Sequence, residues 1–307
     1  MNENMKTDNQ SAATPPVLPS SPLSTPVVST DAEEHQIPMN AREEWTEFLK
    51  TAFIAVLLAL VIRTFLFEPF NIPSGSMKPT LQVGDYLFVY KPAYGYSRHS
   101  FPLGLAPIEG RIMADNKEPR RGDIVVFLNE KTHQDYIKRI IGMPGDTVQV
   151  VDGQLYLNRK LVPREPVGLK KVEEGTLMEY IQTLPDGTMF SIYEESDNEM
   201  LDSTEEFVVP PGHYFMMGDN RDNSQDSRVM NAVGYVPLEN FIGRASFIFF
   251  STNGYANIAE IWKWPWSIRY DRLFHSVTPV RPPESGGNPE GPSETPDNQA
   301  PHAPPVP

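Results

Sequence analysis

Cysteine is absent from the chain. That excludes disulfides, thiolate metal sites and cysteine nucleophiles together, while leaving the compartment open. A basic surplus is lacking as well: 26 Lys and Arg stand against 40 Asp and Glu, a net charge of −14. A phosphate backbone would be repelled, so no nucleic-acid partner is expected. Lys and Arg are missing altogether from Val172 to Val209, a stretch rich in Asp and Glu that reads as a solvated acidic insertion. Nor does any uncharged apolar run suffice by itself to cross a bilayer. The longest, Thr51–Ile62 (TAFIAVLLALVI), has twelve residues. As a helix it would rise about 18 Å, against a hydrocarbon core of about 30 Å.

What flanks that run changes its reading. Trp45, Phe48, Phe65, Phe67 and Phe70 sit where interfacial aromatics belong, and Lys50 and Arg63 can extend toward headgroups. Counted from Phe48 to Phe67 the segment has twenty residues, enough to span. A spanning helix is therefore expected, with a buried core helix as the alternative. It lies deep in the chain and no small-residue cleavage site follows it, unlike a removable signal peptide. Arg42 and Lys50 precede it, but so do Glu43, Glu44 and Glu47, and charge barely orients it.

Proline, at 31 residues, is crowded toward the two ends. Such segments bury too little apolar surface to offset their ordering entropy and are expected to be disordered. The expected organisation is a tail at 1–44, an anchor helix at 45–68, a β-rich domain at 69–278 with a variable acidic insertion at about 160–205, and a second tail at 279–307. No internal repeat is apparent. Within 69–278 short runs of Val, Ile, Phe and Tyr alternate with Gly-Asp and Pro-Gly pairs. Strands are predicted at Tyr86–Tyr90, Asp123–Phe127, Tyr136–Ile141, Thr147–Val151, Gln154–Leu157, His213–Met217 and Arg244–Phe250. Asp152-Gly153 between two of them signals a hairpin. The expected fold class is mainly β, built of antiparallel sheets. Near the end, Ile261-Trp262-Lys263-Trp264-Pro265-Trp266 is either an amphipathic surface patch or aromatic packing.

Three polar segments carry the chemistry. They are Pro73-Ser74-Gly75-Ser76-Met77-Lys78-Pro79-Thr80-Leu81, then Asp135-Tyr136-Ile137-Lys138-Arg139 running to Gly142-Met143-Pro144-Gly145-Asp146, then Gly218-Asp219-Asn220-Arg221-Asp222-Asn223-Ser224-Gln225-Asp226-Ser227-Arg228. A serine hydroxyl is a poor nucleophile and needs a base within hydrogen-bond reach. The six histidines, His35, His99, His133, His213, His275 and His302, all lie outside these segments. Lysine can serve when an apolar setting keeps it neutral, and Ile137, Ile140 and Ile141 surround Lys138 in sequence. A calcium-loop reading of Asp222, Ser224 and Asp226 fails, because Ser227 and Val233 stand where Gly and Glu are required. No metal and no cofactor is expected.

Together and in this order, the three segments resemble the SGSM-P-T-L, YIKR--G-PGD and GDNRDNS-DSR boxes of bacterial type I signal peptidases, the Ser–Lys dyad serine endopeptidases that follow an N-terminal membrane anchor. The Arg121–Phe127 strand also fits, and the likeness extends loosely from Trp45 to Phe250. The resemblance implies Ser76 as nucleophile and Lys138 as general base, with Ser74 and the Ser76 N–H as oxyanion donors and Ser224 orienting the lysine. It implies that Asp226 pairs with Arg228, and Asp219 with Arg221, to brace the site; a rigid turn network is the alternative for these four. Ile72, Met77, Leu81, Tyr136 and Ile137 would line shallow pockets that accept small-x-small sequences, or else belong to the core. The implied partners are signal-peptide-bearing preproteins and the lipid bilayer. The implied location is the bacterial inner membrane, single-pass, with the catalytic domain on the periplasmic side. A self-cleaving repressor of related chemistry would need a DNA-binding helical domain in place of the apolar helix. An inactive relative would have lost Ser76 or Lys138.

Overall fold

The first element is a helix, α1, Ala41–Phe65, 25 residues and about 37 Å at ~1.5 Å rise per residue. Glu43 and Glu44 in its first turn and Arg63 in its last complement the helix dipole. None of its most apolar window is buried against protein, so by length and composition it is able to cross a membrane. It starts earlier than the expected 45 and stops at Phe65, because Phe67 is already committed to a strand. The computed structural model describes residues 41–101, 110–112, 118–173, 175–254 and 260–282; the expected tails at 1–40 and 283–307 lie outside them. The chain divides into two compact units, Met1–Thr51, described only as the opening of α1, and Ala52–Pro307, which carries every strand.

Seven strands form the main sheet. They are β1 (Phe67–Asn71), β2 (Asp85–Tyr90), β3 (Ile124–Asn129), β4 (Gln134–Gly142) and, after three strands of a second sheet, β5 (Thr147–Val151), β6 (Gln154–Leu157) and β7 (Lys160–Leu161), and three of a third, β8 (Arg164–Val172), β9 (Gly175–Thr183) and β10 (Met189–Glu194), the later β12 (His213–Met217), β13 (Val236–Pro237) and β14 (Phe241–Ser251). The order is β1-β2-β14-β3-β4-β12-β13, antiparallel throughout. The short β11 (Phe207–Val208) joins the second sheet beside β5, and the third sheet runs β10-β9-β8. Asp152 and Gly153 both have positive φ, 48° and 70°, as the expected two-residue hairpin between β5 and β6 requires.

Strand β3 shows why the sheet is central. Ile124 and Val126 face one apolar cluster with Leu87, Val89, Ile137 and Ile248. Val125 and Phe127, one residue out of phase, face another with Ile140, Met216 and Phe241. The strand is thus buried on both faces, which is why it reads as a continuous apolar run. A third cluster, with Ile141, Val148, Leu155, Phe190, Ile192 and Phe215, unites the main sheet with the two smaller ones.

The acidic stretch departs from expectation. Rather than a solvated insertion, it supplies β9 and β10, and Leu177, Gln182, Leu184, Phe190, Ile192 and Glu194 are buried. Most of its carboxylates lie at partly or fully exposed positions and turns, with Glu194 and Asp202 buried, so net charge conceals an alternating pattern. The C-terminal boundary moves too: Met189 pairs with Val280, and Arg281 forms an ion pair with Asp123 at 2.7 Å, so the domain continues past 278. Of the aromatic run, Trp264 packs on Phe250 at 5.6 Å between ring centres. Ile261, Trp262 and Trp266 face outward, and so the segment is mostly surface patch.

Asp85, at the start of β2, ties this late segment to the sheet. Its fully buried carboxylate accepts from Arg272 at 2.5 Å, from Ser251 Oγ at 2.7 Å and from the Gln82 N–H at 2.8 Å. Replacing Asp85 with Ala leaves Arg272 without its charge partner in a part-buried site. Urea unfolding of the variant is expected to show a loss of about 3–5 kcal/mol.

Candidate active site

Ser76 lies in the turn after β1, and Lys138 lies in β4. Both are nearly inaccessible, at 7% and 4% exposure. Lys138 Nζ donates to Ser76 Oγ at 2.7 Å and to the Ile137 carbonyl at 3.0 Å. The cross-strand neighbour of Lys138 is Val125, and Ile140 follows two residues on, so its face of the sheet is apolar. That burial lowers the lysine pKa to about 8. Asp226 and then Asp219 act in the opposite sense, and Arg228 adds to the lowering. Both carboxylates already have guanidinium partners, which offsets their hold on the lysine proton.

Those pairs differ in part from expectation. Asp226 does pair with Arg228, through Nε and Nη2 at 2.9 Å each, and also accepts the Gly218 N–H at 3.0 Å. Asp219 does not pair with Arg221. It takes a two-pronged ion pair from Arg139 at 2.7 and 2.6 Å and a hydrogen bond from Thr80 Oγ1 at 2.5 Å. Arg221 instead donates to the Gly218 carbonyl and to Gln182 Oε1. In an extended run, residues two apart share a face, but the loop turns between Asp219 and Arg221, and this is what separates them.

Ser74 Oγ is 3.3 Å from Ser76 Oγ, near enough to serve the same reacting centre. Ser224 makes no hydrogen bond to Lys138. Its hydroxyl is buried against Gly218, where an added Cβ would stand 2.2 Å from Ser224 Oγ and 2.5 Å from the Ser76 carbonyl oxygen. Only glycine fits between them. The Ser76 carbonyl also accepts the Asn220 N–H at 3.1 Å, and Asn220 Nδ2 donates to the Gly75 carbonyl at 3.2 Å. Asn220, Thr80 and Arg139 were visible only as members of motifs. No spacing rule marks them as the cross-ties.

A cleft of about 510 Å³ opens onto the pair, walled by Phe70, Asn71, Pro73 and Ser74, by Gln134–Lys138, and by Asn223 and Gln225. Tyr136 and Ile137 line it as expected. Ile72, Met77 and Leu81 do not; they are packed into the apolar cluster behind, with Leu87 and Ile248. Hydrophobic residues flanking a turn that must be held rigid are drawn inward, and motif position alone does not distinguish wall from core. Strand β12 pairs only with Arg139, Ile140 and Gly142, so the edge of β4 facing the cleft is free before Arg139. The Ile140 N–H and carbonyl bond toward β3, and alternation therefore turns the backbone of Asp135 and Ile137 to the open edge. His133 sits in the turn between β3 and β4, outside the cleft lining. Among the described residues no group of His, Asp or Glu is disposed to hold a metal ion. A hydroxyl bonded to a lysine of lowered pKa, beside an open strand edge, can run acyl transfer on an extended peptide.

Residues 45–250 match the family described as signal peptidase, peptidase S26. The signal peptidase I of Rickettsia conorii is 42% identical over 270 residues, spanning 81% of this chain and 98% of its own. That of Rickettsia rickettsii is likewise 42% identical, with the same coverage. A crystal structure of a signal peptidase I from Enterococcus faecalis is 28% identical, covers 42% of this chain and 97% of its own, and gives a TM-score of 0.27.

The charge balance around Lys138 makes a signed expectation. Replacing Arg228 with Gln leaves Asp226 uncompensated and removes a cation, and both changes favour the lysine's protonated form. If Lys138 is the base, the alkaline rise of kcat/KM is expected near pH 8 in the parent and at higher pH in the variant. Activity at neutral pH then falls by roughly tenfold for each pH unit of that movement. A pH–rate profile of the detergent-solubilised chain measures it.

Proposed function

The chain belongs to the type I signal peptidases of family S26, which remove signal peptides from preproteins at membranes, and from that premise we propose that Ser76 is its nucleophile and Lys138 its general base. The observation that carries this reading is the 2.7 Å hydrogen bond from a buried lysine of lowered pKa to the serine hydroxyl. Neutral Lys138 takes the Ser76 proton as Oγ attacks the scissile carbonyl. The Ser74 hydroxyl and the Ser76 N–H donate to the oxyanion that forms. Lys138, now an ammonium held by the Ile137 carbonyl, gives its proton to the leaving amine. It then takes a proton from the water that attacks the acyl-enzyme and returns it to Ser76 Oγ as the ester bond breaks, releasing the carboxylic product and the free enzyme. Asp226, Arg228 and Ser224 act from behind, setting the field at Lys138 and the position of Gly218.

The preprotein lies extended along the free edge of β4, with backbone hydrogen bonds from Asp135 and Ile137. Tyr136, Ile137 and the Phe70–Ser74 wall confine its side chains, which favours small residues beside the scissile bond. The helix α1 crosses the bilayer once and the β domain lies on the extracytoplasmic side, where an exported precursor presents its cleavage site. Trp262, Trp266, Tyr270 and Phe274 are exposed rings with a polar or apolar character suited to the headgroup boundary, and they support lipid contact by this surface.

Cleavage of a precursor peptide tests the assignment. Ser76→Ala and Lys138→Ala are each expected to abolish turnover, with membrane association retained. Ser74→Ala removes one of two oxyanion donors and is expected to lower kcat by about 10²–10³. Substantial turnover by Ser76→Ala would show the nucleophile to be elsewhere.

A further inference from the structure

The third motif is held from a direction that its own sequence does not reveal. Gln182 stands in β9, across from Phe190 of β10 and Arg164 of β8, and its side chain is fully buried. Its Oε1 accepts from Arg221 Nη2, while its Nε2 has no partner among the described residues. A buried amide with one end unsatisfied is costly, and the oxygen is the end that is used. Arg221 is buried, and among the described residues no carboxylate is bonded to it. Its Nε donates to the Gly218 carbonyl at 3.2 Å. Tyr193 of β10 clamps the same turn through its backbone, donating to the Asp219 carbonyl at 2.8 Å and accepting the Arg221 N–H at 2.9 Å. Gly218 in turn touches both the Ser76 carbonyl and Ser224.

We propose that Gln182 is a positioning residue for the peptidase reaction, acting through Arg221 and Gly218 on the placement of Ser76 against Lys138. The inference rests on the Ser76–Lys138 reading above. The acidic hairpin is then part of the catalytic frame: Gln182 fixes the guanidinium, the guanidinium fixes the Gly218 carbonyl, and the close approach at Gly218 fixes the nucleophile's backbone. A shift of about 1 Å in such a chain is worth roughly 10²-fold in rate. The other charged groups around Gln182 and Arg221 are paired among themselves: Arg164 with Glu194, Arg139 with Asp219, and Arg228 with Asp226.

The test compares Gln182→Met, Gln182→Glu and Thr188→Val in the full chain, by kcat, KM, pH profile and thermal unfolding. Met has similar volume and only a weak thioether acceptor in place of the amide oxygen, and is expected to lower kcat about 10- to 100-fold with KM within about threefold. Glu restores an acceptor to Arg221 and is expected to return kcat to within about threefold of the parent on its alkaline plateau, since a single acceptor is all that is replaced. Its added negative charge favours protonated Lys138, so the profile's rise moves to higher pH. Thr188, buried on the same hairpin beside Gly122 with an unpartnered hydroxyl, is the packing control, and its Val variant is expected to keep the parent's kcat. The inference is overturned if Gln182→Met keeps kcat within about twofold, or if all three variants lose activity in step with thermal stability. Failure of the dyad reading is separate, since it would appear as turnover by Ser76→Ala.

Discussion

A lysine can act as a base only where water does not hold its proton, and the site depends on that constraint. Removing Lys138 from water costs free energy unless the neutral form is accepted, which is how burial lowers its pKa to about 8. Two carboxylates nearby would undo this by favouring the ammonium. The structure keeps both and assigns each a guanidinium partner, Arg139 to Asp219 and Arg228 to Asp226. Their geometry is preserved as scaffold while much of their field at Lys138 is offset.

The first of these pairs also helps hold the three motifs together. Thr80 from the first, Arg139 from the second and Asp219 from the third meet in one hydrogen-bonded cluster. Asn220 then returns from the third motif to Gly75 and Ser76 in the first. A hydroxyl and an amine separated by 62 residues are thus held at 2.7 Å without a direct covalent or strand pairing between their segments. Buried ion pairs contribute little net stability when compared with apolar packing, but breaking one is severe. In this fold the Arg139–Asp219 pair ties the second motif to the third, and the Asp226–Arg228 pair braces the third internally.

The open edge of β4 is the complementary feature. Exposed strand edges invite pairing with any extended chain. In this protein the edge lies in a cleft lined by residues of Phe70–Ser74 and by Asn223 and Gln225, beside Ser76. One strand carries both features: Ile137 lines the cleft and Lys138 reaches the serine.

Much of this was legible in the residues alone. The likeness and order of the three motifs implied a peptidase, with Ser76 and Lys138 as the expected reacting pair; alternation in β3 and β4, the Asp152-Gly153 turn and the apolar run with its aromatic flanks read as a mainly β domain behind an apolar helix. These are local signals, carried by period, turn chemistry and residue type. What only the tertiary structure decided were matters of long-range pairing. Asp219 bonds to Arg139 rather than to the nearby Arg221, since a turn redirects it. Ile72, Met77 and Leu81 go to the core while Tyr136 and Ile137 line the cleft, since the facing of a turn residue depends on what packs behind it. The acidic stretch became a buried hairpin because its inward positions, Leu177, Gln182, Phe190 and Ile192 among them, are hidden in the net charge of their neighbours. Charge is a property of composition; burial is a property of partners that lie far away in the chain.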